Sequence, residues 1–325
     1  MLIDKNFTDF EQQIKILKQR NLSFISEEFA YVSLKRFGYY NIINGYKDPY
    51  IEKTKNGEEI YKSGVTFEQI FSLYQLDRNL RNAVINSMLE IEDNLRNAVA
   101  HIIAESFTAE EKKYLDRTNY RSGRNRNGET QLDSIMKKFN KILQDKTLEP
   151  VIHYKETYNN VPPWILLKGA SFGNLVNFIK ILKPAQKNKV ISLIYNIKEE
   201  IISTDDFIKN LFSDTIFVCL DYRNRSAHGG RIYNYQTPAI FRKNPLLQMK
   251  KENISFHTKY GITGLPVLVE ALQFFDNQNP KITLITHINF FIKKHLENYP
   301  QDEQYLIRYL NISKKHFRQP ENHFS

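Results

Sequence analysis

Residues 66–106 read "TFEQIFSLYQLDRNLRNAVINSMLEIEDNLRNAVAHIIAES". Ile70, Leu73, Leu76, Leu80, Val84, Met88, Ile91, Leu95 and Val99 recur at spacings of three and four, which places them in one stripe along an amphipathic helix. Thr66-x-x-Gln69 at its head has the form of a capping box, in which hydroxyl and carboxamide each satisfy a backbone N–H group. The spacing predicts a helix from about Thr66 to Ser106, as one rod or as two.

The rest of the chain follows the same period. It holds only 12 glycines and 11 prolines in 325 residues, so few positions break a helix. Thr8-x-x-Glu11 and Thr108-x-x-Glu111 repeat the capping signature. Further helices are expected at about 131–156, 173–182, 185–198 and 205–228, and, after an irregular stretch to about Gly264, at 265–276, 281–298 and 301–310. The fold class is therefore all-α. A natural division is an N-terminal helical segment 1–62, a helical domain 63–235 and a C-terminal helical region 236–325. No fixed-period repeat and no low-complexity tract interrupts this pattern.

Composition narrows the function classes. The formal charge is +10 and the pI about 9.3, a balance that suits a polyanionic partner such as nucleic acid. No apolar run approaches the ~18 residues of a membrane helix, and MLIDKNFTDF lacks the pattern of a signal peptide; a cytoplasmic protein without a membrane partner is expected. Cys219 is the sole cysteine and falls on an apolar helix face, so it reads as a small buried hydrophobe. There is no Walker glycine loop, no His-Glu-x-x-His helix, no glycine-flanked serine elbow and no clustered acidic metal site. His153, His257, His287, His295, His316 and His323 are scattered, and neither a metal nor another cofactor is expected.

Two polar stretches stand out. "DRTNYRSGRNRNGET", residues 116–130, has no apolar period and carries Arg117, Arg121, Arg124 and Arg126. It reads as a flexible basic loop, either a phosphate-contacting element or a solvated connector. "LDYRNRSAHGGRIYN", residues 220–234, ends an amphipathic helix whose stripe is Ile208, Phe212, Thr215, Cys219 and Tyr222. Gly229-Gly230 supplies the left-handed residue that closes a helix, so Arg223, Asn224 and His228 crowd its last turns.

A histidine and an arginine at this spacing suit RNA cleavage by attack of the ribose 2′-OH on the adjacent phosphate. That reaction needs a base, an acid and positive charge on the phosphorane. The structural alternative is that Arg223, Asn224 and His228 only cap a helix. Arg96 and His101 repeat the spacing inside the long helix, where Arg96 is expected to pair with Glu92 one turn earlier. They form a possible second site, although residues five apart on a regular helix point about 140° away from each other.

These stretches belong to an ordered set: "FEQQIKILKQRNLSF", "LKRFGYYNIINGY", "FEQIFSLYQLDRNLR" with Asp77, Arg78 and Arg81, "IEDNLRNAVAHIIAESF" with Glu92 and Arg96, "HYKETYNNVPPWILLKGASFGNL" with Pro162-Pro163-Trp164, and "YRNRSAHGGRIYN". In that order they resemble the Abi-like abortive-infection proteins of the AbiD and AbiF kind, within the HEPN superfamily of α-helical ribonucleases. The resemblance covers roughly residues 8–235. It implies a HEPN-like helical bundle with helical extensions, and a toxin of phage defence that cleaves RNA without metal at an Arg-Asn-x-x-x-His signature. By it Arg223 and His228 become the catalytic pair and Asn224 a positioning residue, with active sites assembled across a homodimer. It also implies a small structured non-coding RNA that restrains the activity. Gly229-Gly230 departs from the polar or aromatic residue that relatives often place after the histidine. Arg225 within the signature and Arg231 just after it are, with the four loop arginines, the expected RNA contacts. The alternative is a non-catalytic RNA-binding or regulatory module; a DNA-directed protein fits least, for want of clustered carboxylates.

Overall fold

The computed structural model describes residues 7–54, 56–247, 261, 262 and 264–310. Its architecture is all-α. In chain order the helices are α1 (Phe10–Gln19), α2 (Glu27–Phe37), α3 (Phe67–Phe107), α4 (Glu111–Tyr114), α5 (Gln131–Leu143), α6 (Glu149–Tyr158) and α7 (Pro163–Leu166). They continue with α8 (Phe172–Ile181), α9 (Pro184–Tyr195), α10 (Glu199–Thr204), α11 (Asp206–Ala227), α12 (Leu265–Leu272), α13 (Asn279–Asn298) and α14 (Glu303–Leu310). Three two-stranded antiparallel ribbons punctuate them: β1 (Ile51–Lys53) with β2 (Glu59–Tyr61), β3 (Asn125–Arg126) with β4 (Glu129–Thr130), and β5 (Phe241–Arg242) with β6 (Gly261–Ile262).

The long apolar stripe forms a single helix, α3, and all nine of its predicted core positions are buried. The segment expected at 131–156 is two helices, α5 and α6, because Asp145 and Thr147 form a side-chain turn between them. The capping readings need local correction. At the first helix Asp9 and Gln12 form the reciprocal box in place of Thr8 and Glu11. Thr66 accepts from the Gln69 amide at 3.2 Å, but the Gln69 carboxamide turns away to Asp302 at 2.9 Å. Thr108 has φ +67 and lies before Glu110, the N-cap of α4.

The chain forms two compact units. One is drawn from the residues up to Asn82, from Gly229–Asn234 and from Thr286 on. Its core gathers Leu17, Leu34, Ile42, Ile43, Phe67 and Leu306, all fully buried, with a ring cluster of Phe29, Phe37, Phe67, Phe71 and Tyr74. Asp77, without solvent exposure, accepts from Tyr46 Oη at 2.5 Å, Arg81 Nη1 at 2.6 Å and the Ile232 and Tyr233 amides at 2.8 Å each. It thereby fixes Gly229–Asn234 in this unit. Asp302 collects Tyr50, Gln69 and His295 in a second buried polar knot.

The other unit comprises Ala83–His228 and Tyr235–Ile285. Here α5 packs on α8, and α11 packs on α8, α9 and α12. Phe139, Phe172, Leu175, Phe178, Val190, Phe212 and Val267 fill the space between them. The α11 stripe faces inward as its spacing requires, and Cys219 is buried in it; burial pushes its thiol well above the ordinary range. Among the described residues no helix is long and apolar enough to cross a membrane.

Candidate functional site

Asp205 is the N-cap of helix α11, and its carboxylate accepts from the Phe207 amide at 2.7 Å and the Ile208 amide at 3.3 Å. It ends as the glycine pair dictates. His228 is the C-cap at φ −89° and ψ 12°, its N–H bonds the Asn224 carbonyl at 3.0 Å, and Gly229 follows at φ +71°. The His228 side chain is exposed, whereas Arg223 and Asn224 are half-buried one turn earlier. Arg223 Nη1 donates to Asn224 Oδ1 at 3.3 Å.

The residue that organises this end of the unit is Glu92 of α3. Its side chain is 7% exposed, and the carboxylate lies between two arginines: Arg96 Nη2 at 2.7 Å and Arg223 Nε at 3.6 Å. Glu92 Oε2 and Arg223 Nε are buried atoms without a hydrogen-bond partner, and at 3.6 Å each is the other's charged neighbour. Burial pushes the Glu92 carboxyl upward, against the pull of Arg96 and then Arg223. Arg96 is fully engaged: beyond Glu92 it pairs with Asp93, and its Nε donates to the Leu167 carbonyl at 3.0 Å. Leu167 directly follows α7, the turn made by the Pro-Pro-Trp block. Three separated stretches of sequence, around residues 92–96, 163–167 and 223–228, therefore meet through one carboxylate and two guanidinium groups.

The expected Arg96–Glu92 pair is present, and its link onward to Arg223 is what sequence reading missed. An i,i+4 pair is visible in a sequence, while a contact across 131 positions leaves no local signal. His101 is exposed, with Glu105 one turn on as its charged neighbour, and among the described residues no ion pair or hydrogen bond ties it to Arg223 or Asn224. Arg225 stacks over the Tyr235 ring at 4.7 Å, and the Tyr235 hydroxyl donates to Asp221 at 2.8 Å. In the other unit Arg231 donates to the Gly45 carbonyl at 2.5 Å.

The basic loop differs from the flexible connector that its composition suggests. Residues Arg117–Asn119 make a 3-10 turn and 125–130 the β3–β4 hairpin. Main-chain bonds pin the segment: Arg121 N to Ile181 O at 2.8 Å, Leu132 N to Ser122 O at 3.0 Å and Gln131 N to Arg124 O at 2.9 Å. Gly123, at φ +72°, packs so closely on α5 that a Cβ there would stand 2.6 Å from Gln131 Cβ. Arg117 is paired with Asp133, while Arg121 and Arg124 are exposed; the Arg126 side chain lies outside what is described. Of the scattered histidines, His257, His316 and His323 lie outside the described residues, and His295 is buried between Ser72 and Asp302.

An all-helical protein with an arginine–asparagine pair and an exposed histidine at one helix end, the arginine backed by a shared carboxylate, is the class that these observations define. The model of the Abi-like protein family matches residues 32–234, which span α2 to the segment held by Asp77. The chain belongs to the Abi-like protein family. Neither a curated protein nor a solved structure matches it. Family membership suggests a part in abortive infection and is compatible with a nuclease.

Proposed function

We propose that the protein is an endoribonuclease of the HEPN kind, acting as a toxin in abortive-infection defence against phage. The observation that carries this reading is Arg223, in contact with Asn224 and backed by the buried carboxylate of Glu92, with His228 exposed at the C-cap of the same helix α11. His228 is exposed where a substrate phosphate can reach it and serves as general acid or base. Arg223 places its positive charge on the phosphorane, and Glu92 and Asn224 restrict its orientation. Attack by the ribose 2′-OH leaves a 2′,3′-cyclic phosphate and a 5′-OH end.

One histidine serves as base or acid at a given instant, so two copies of the motif complete a two-histidine site. A homodimer supplies them, in line with the resemblance of the sequence to the HEPN ribonucleases. The alternative of an intrachain pair with Arg96 and His101 is disfavoured by Arg96 itself. Its guanidinium is committed to Glu92, Asp93 and the Leu167 carbonyl, which leaves it poorly placed for phosphate. A small structured RNA that restrains the toxin remains part of the proposal on the resemblance alone. The test is cleavage of RNA by purified wild-type protein beside a folded His228→Ala variant. A loss of ~10²–10⁴-fold in rate is expected on removal of a general acid or base. Equal cleavage by both would leave the binding-module reading in its place.

A further inference from the structure

Away from α11, the pinned basic loop brings its cations together with others that are far from it in sequence. Beside the β3–β4 hairpin, α5 and α8 enclose a cleft of about 490 Å³ lined by Arg124, Glu129, Gln131, Ser134, Lys138 and Asn177, among others. One turn beyond Asn177, Lys180 Nζ hydrogen-bonds its carboxamide oxygen at 3.3 Å and lies 3.6 Å over the Phe217 ring. Lys187 of α9 donates to Ser213 Oγ at 3.3 Å. Among the described residues no carboxylate is within ion-pair distance of Arg121, Arg124, Lys138, Lys180 or Lys187. Among the described residues Glu129 is the one acidic residue lining the cleft, and Arg242, next to Lys187, is already paired with Asp214 at 2.7 Å.

These cations act on one another. Burial, then Arg124 and Lys187, pull the Lys180 ammonium down to about 8; burial, then Arg121 and Arg242, pull Lys187 down. A set of like charges held at mutual cost by the fold, beside carboxamide and hydroxyl groups, is arranged for an anion that none of the described residues provides.

We propose that Arg121, Arg124, Lys180 and Lys187, with Lys138 at the cleft, form a track for the phosphodiester backbone of single-stranded RNA. This deepens the nuclease reading and takes RNA as its polyanion from it. The track consists of residues other than the cleavage cluster and does not include Arg117, whose charge is spent on Asp133. A lipid surface is the poorer occupant. The exposed large apolar side chains that would enter a bilayer are absent from the hairpin, α5 and α8, whereas Gln131, Ser134 and Asn177 can hydrogen-bond phosphate and ribose.

The experiment measures anisotropy of a fluorescein-labelled, mixed-sequence single-stranded RNA with the full-length His228→Ala protein, across a range of KCl concentrations. Each phosphate contact contributes about 0.7 to the log–log salt slope, a factor of about 5 over the decade from 1 M to 0.1 M. Arg124→Gln with Lys180→Gln should therefore lower the slope by about 1.4 and weaken binding roughly 25-fold at ~0.1 M salt. Because Lys180 is half-buried, Arg121→Gln with Arg124→Gln, both at exposed positions, provides a second pair with the same expected loss that leaves Lys180 untouched. Lys112→Gln with Lys146→Gln, exposed lysines outside the track, controls for net charge and should leave most of the slope in place. Equal losses in track and control variants overturn the proposal, as does retention of RNA binding with loss of binding to phosphatidylglycerol vesicles. The readout needs no cleavage. A protein that binds along the track yet never cuts refutes the nuclease reading alone; one that cuts with unchanged slopes refutes the track alone.

Discussion

Replacing Glu92 by glutamine keeps the shape of the side chain and removes the charge that lies between Arg96 and Arg223. At the 3.6 Å separation from Arg223, the Coulomb term is about 4.6 kcal/mol at an effective dielectric of ~20 and about 1.2 kcal/mol in water. The Arg223 side chain is 28% exposed, so solvent screening moves the net value toward the lower bound, to ~1–2 kcal/mol. That coupling is measured by a double-mutant cycle of Glu92→Gln, Arg223→Gln and the pair, each followed by urea unfolding. Non-additivity of ~1–2 kcal/mol is expected, within the range of residues in direct contact. In cleavage, the same loss of orientation at Arg223 should lower kcat by roughly 5- to 30-fold with little change in KM. A coupling below ~0.3 kcal/mol, the level of independent sites, would refute the view that Glu92 positions Arg223.

Asp77→Ala should destabilise the protein by ~3–5 kcal/mol, because it strips a fully buried acceptor from Arg81, the Tyr46 hydroxyl and two amides; denaturant midpoints with an unchanged m-value check this, and a loss under ~1 kcal/mol contradicts it. The Asp133 carboxyl is held down at about 2 by the Thr130 hydroxyl and amide and by Arg117. A group whose folded pKa is depressed stabilises above its unfolded value and loses that contribution as pH falls through the folded one. The α5 N-terminus should therefore weaken between about pH 4 and pH 2, and an ordinary Asp133 midpoint in a carboxyl-carbon NMR titration would deny it. Mixing His228→Ala chains with wild type under subunit exchange should depress cleavage below the wild-type share. Strict proportionality, together with loss of cleavage in His101→Ala, would favour the intrachain site.

The all-α class, the helical stripe from about residue 66 to 106 and the helix end at Gly229 were legible because each rests on local information: a period near 3.6, a run of buried apolar positions and a residue free to take positive φ. That the stripe runs as one unbroken rod was not legible. The capping boxes were legible only in kind. At α1 the hydroxyl of Thr8 and the carboxylate of Asp9 both offer acceptors, and their neighbours decide which is used. Short helices such as α7 and α10, and the two-residue ribbon at 125–130, carry too few residues to show any period. The cluster Arg223, Asn224 and His228 was visible as a motif, but Glu92 as its support was not. Lys180 and Lys187 were equally silent, since each sits in an ordinary amphipathic helix and acquires meaning only when Arg121 and Arg124 are pinned against it. Arg117 shows the converse: four arginines look alike in a loop until one of them finds Asp133.

The most direct test of the central claim is the chemistry of the cut ends. RNA incubated with wild-type protein in excess EDTA is analysed by mass spectrometry, beside the same reaction with His228→Ala. Attack by the 2′-OH at the Arg223–His228 cluster predicts undiminished cleavage in EDTA, fragments ending in a 2′,3′-cyclic phosphate with a 5′-OH on the partner fragment, and none of these with the variant. Fragments carrying a 5′-phosphate, formed only with magnesium and unaffected by His228→Ala, would contradict the account.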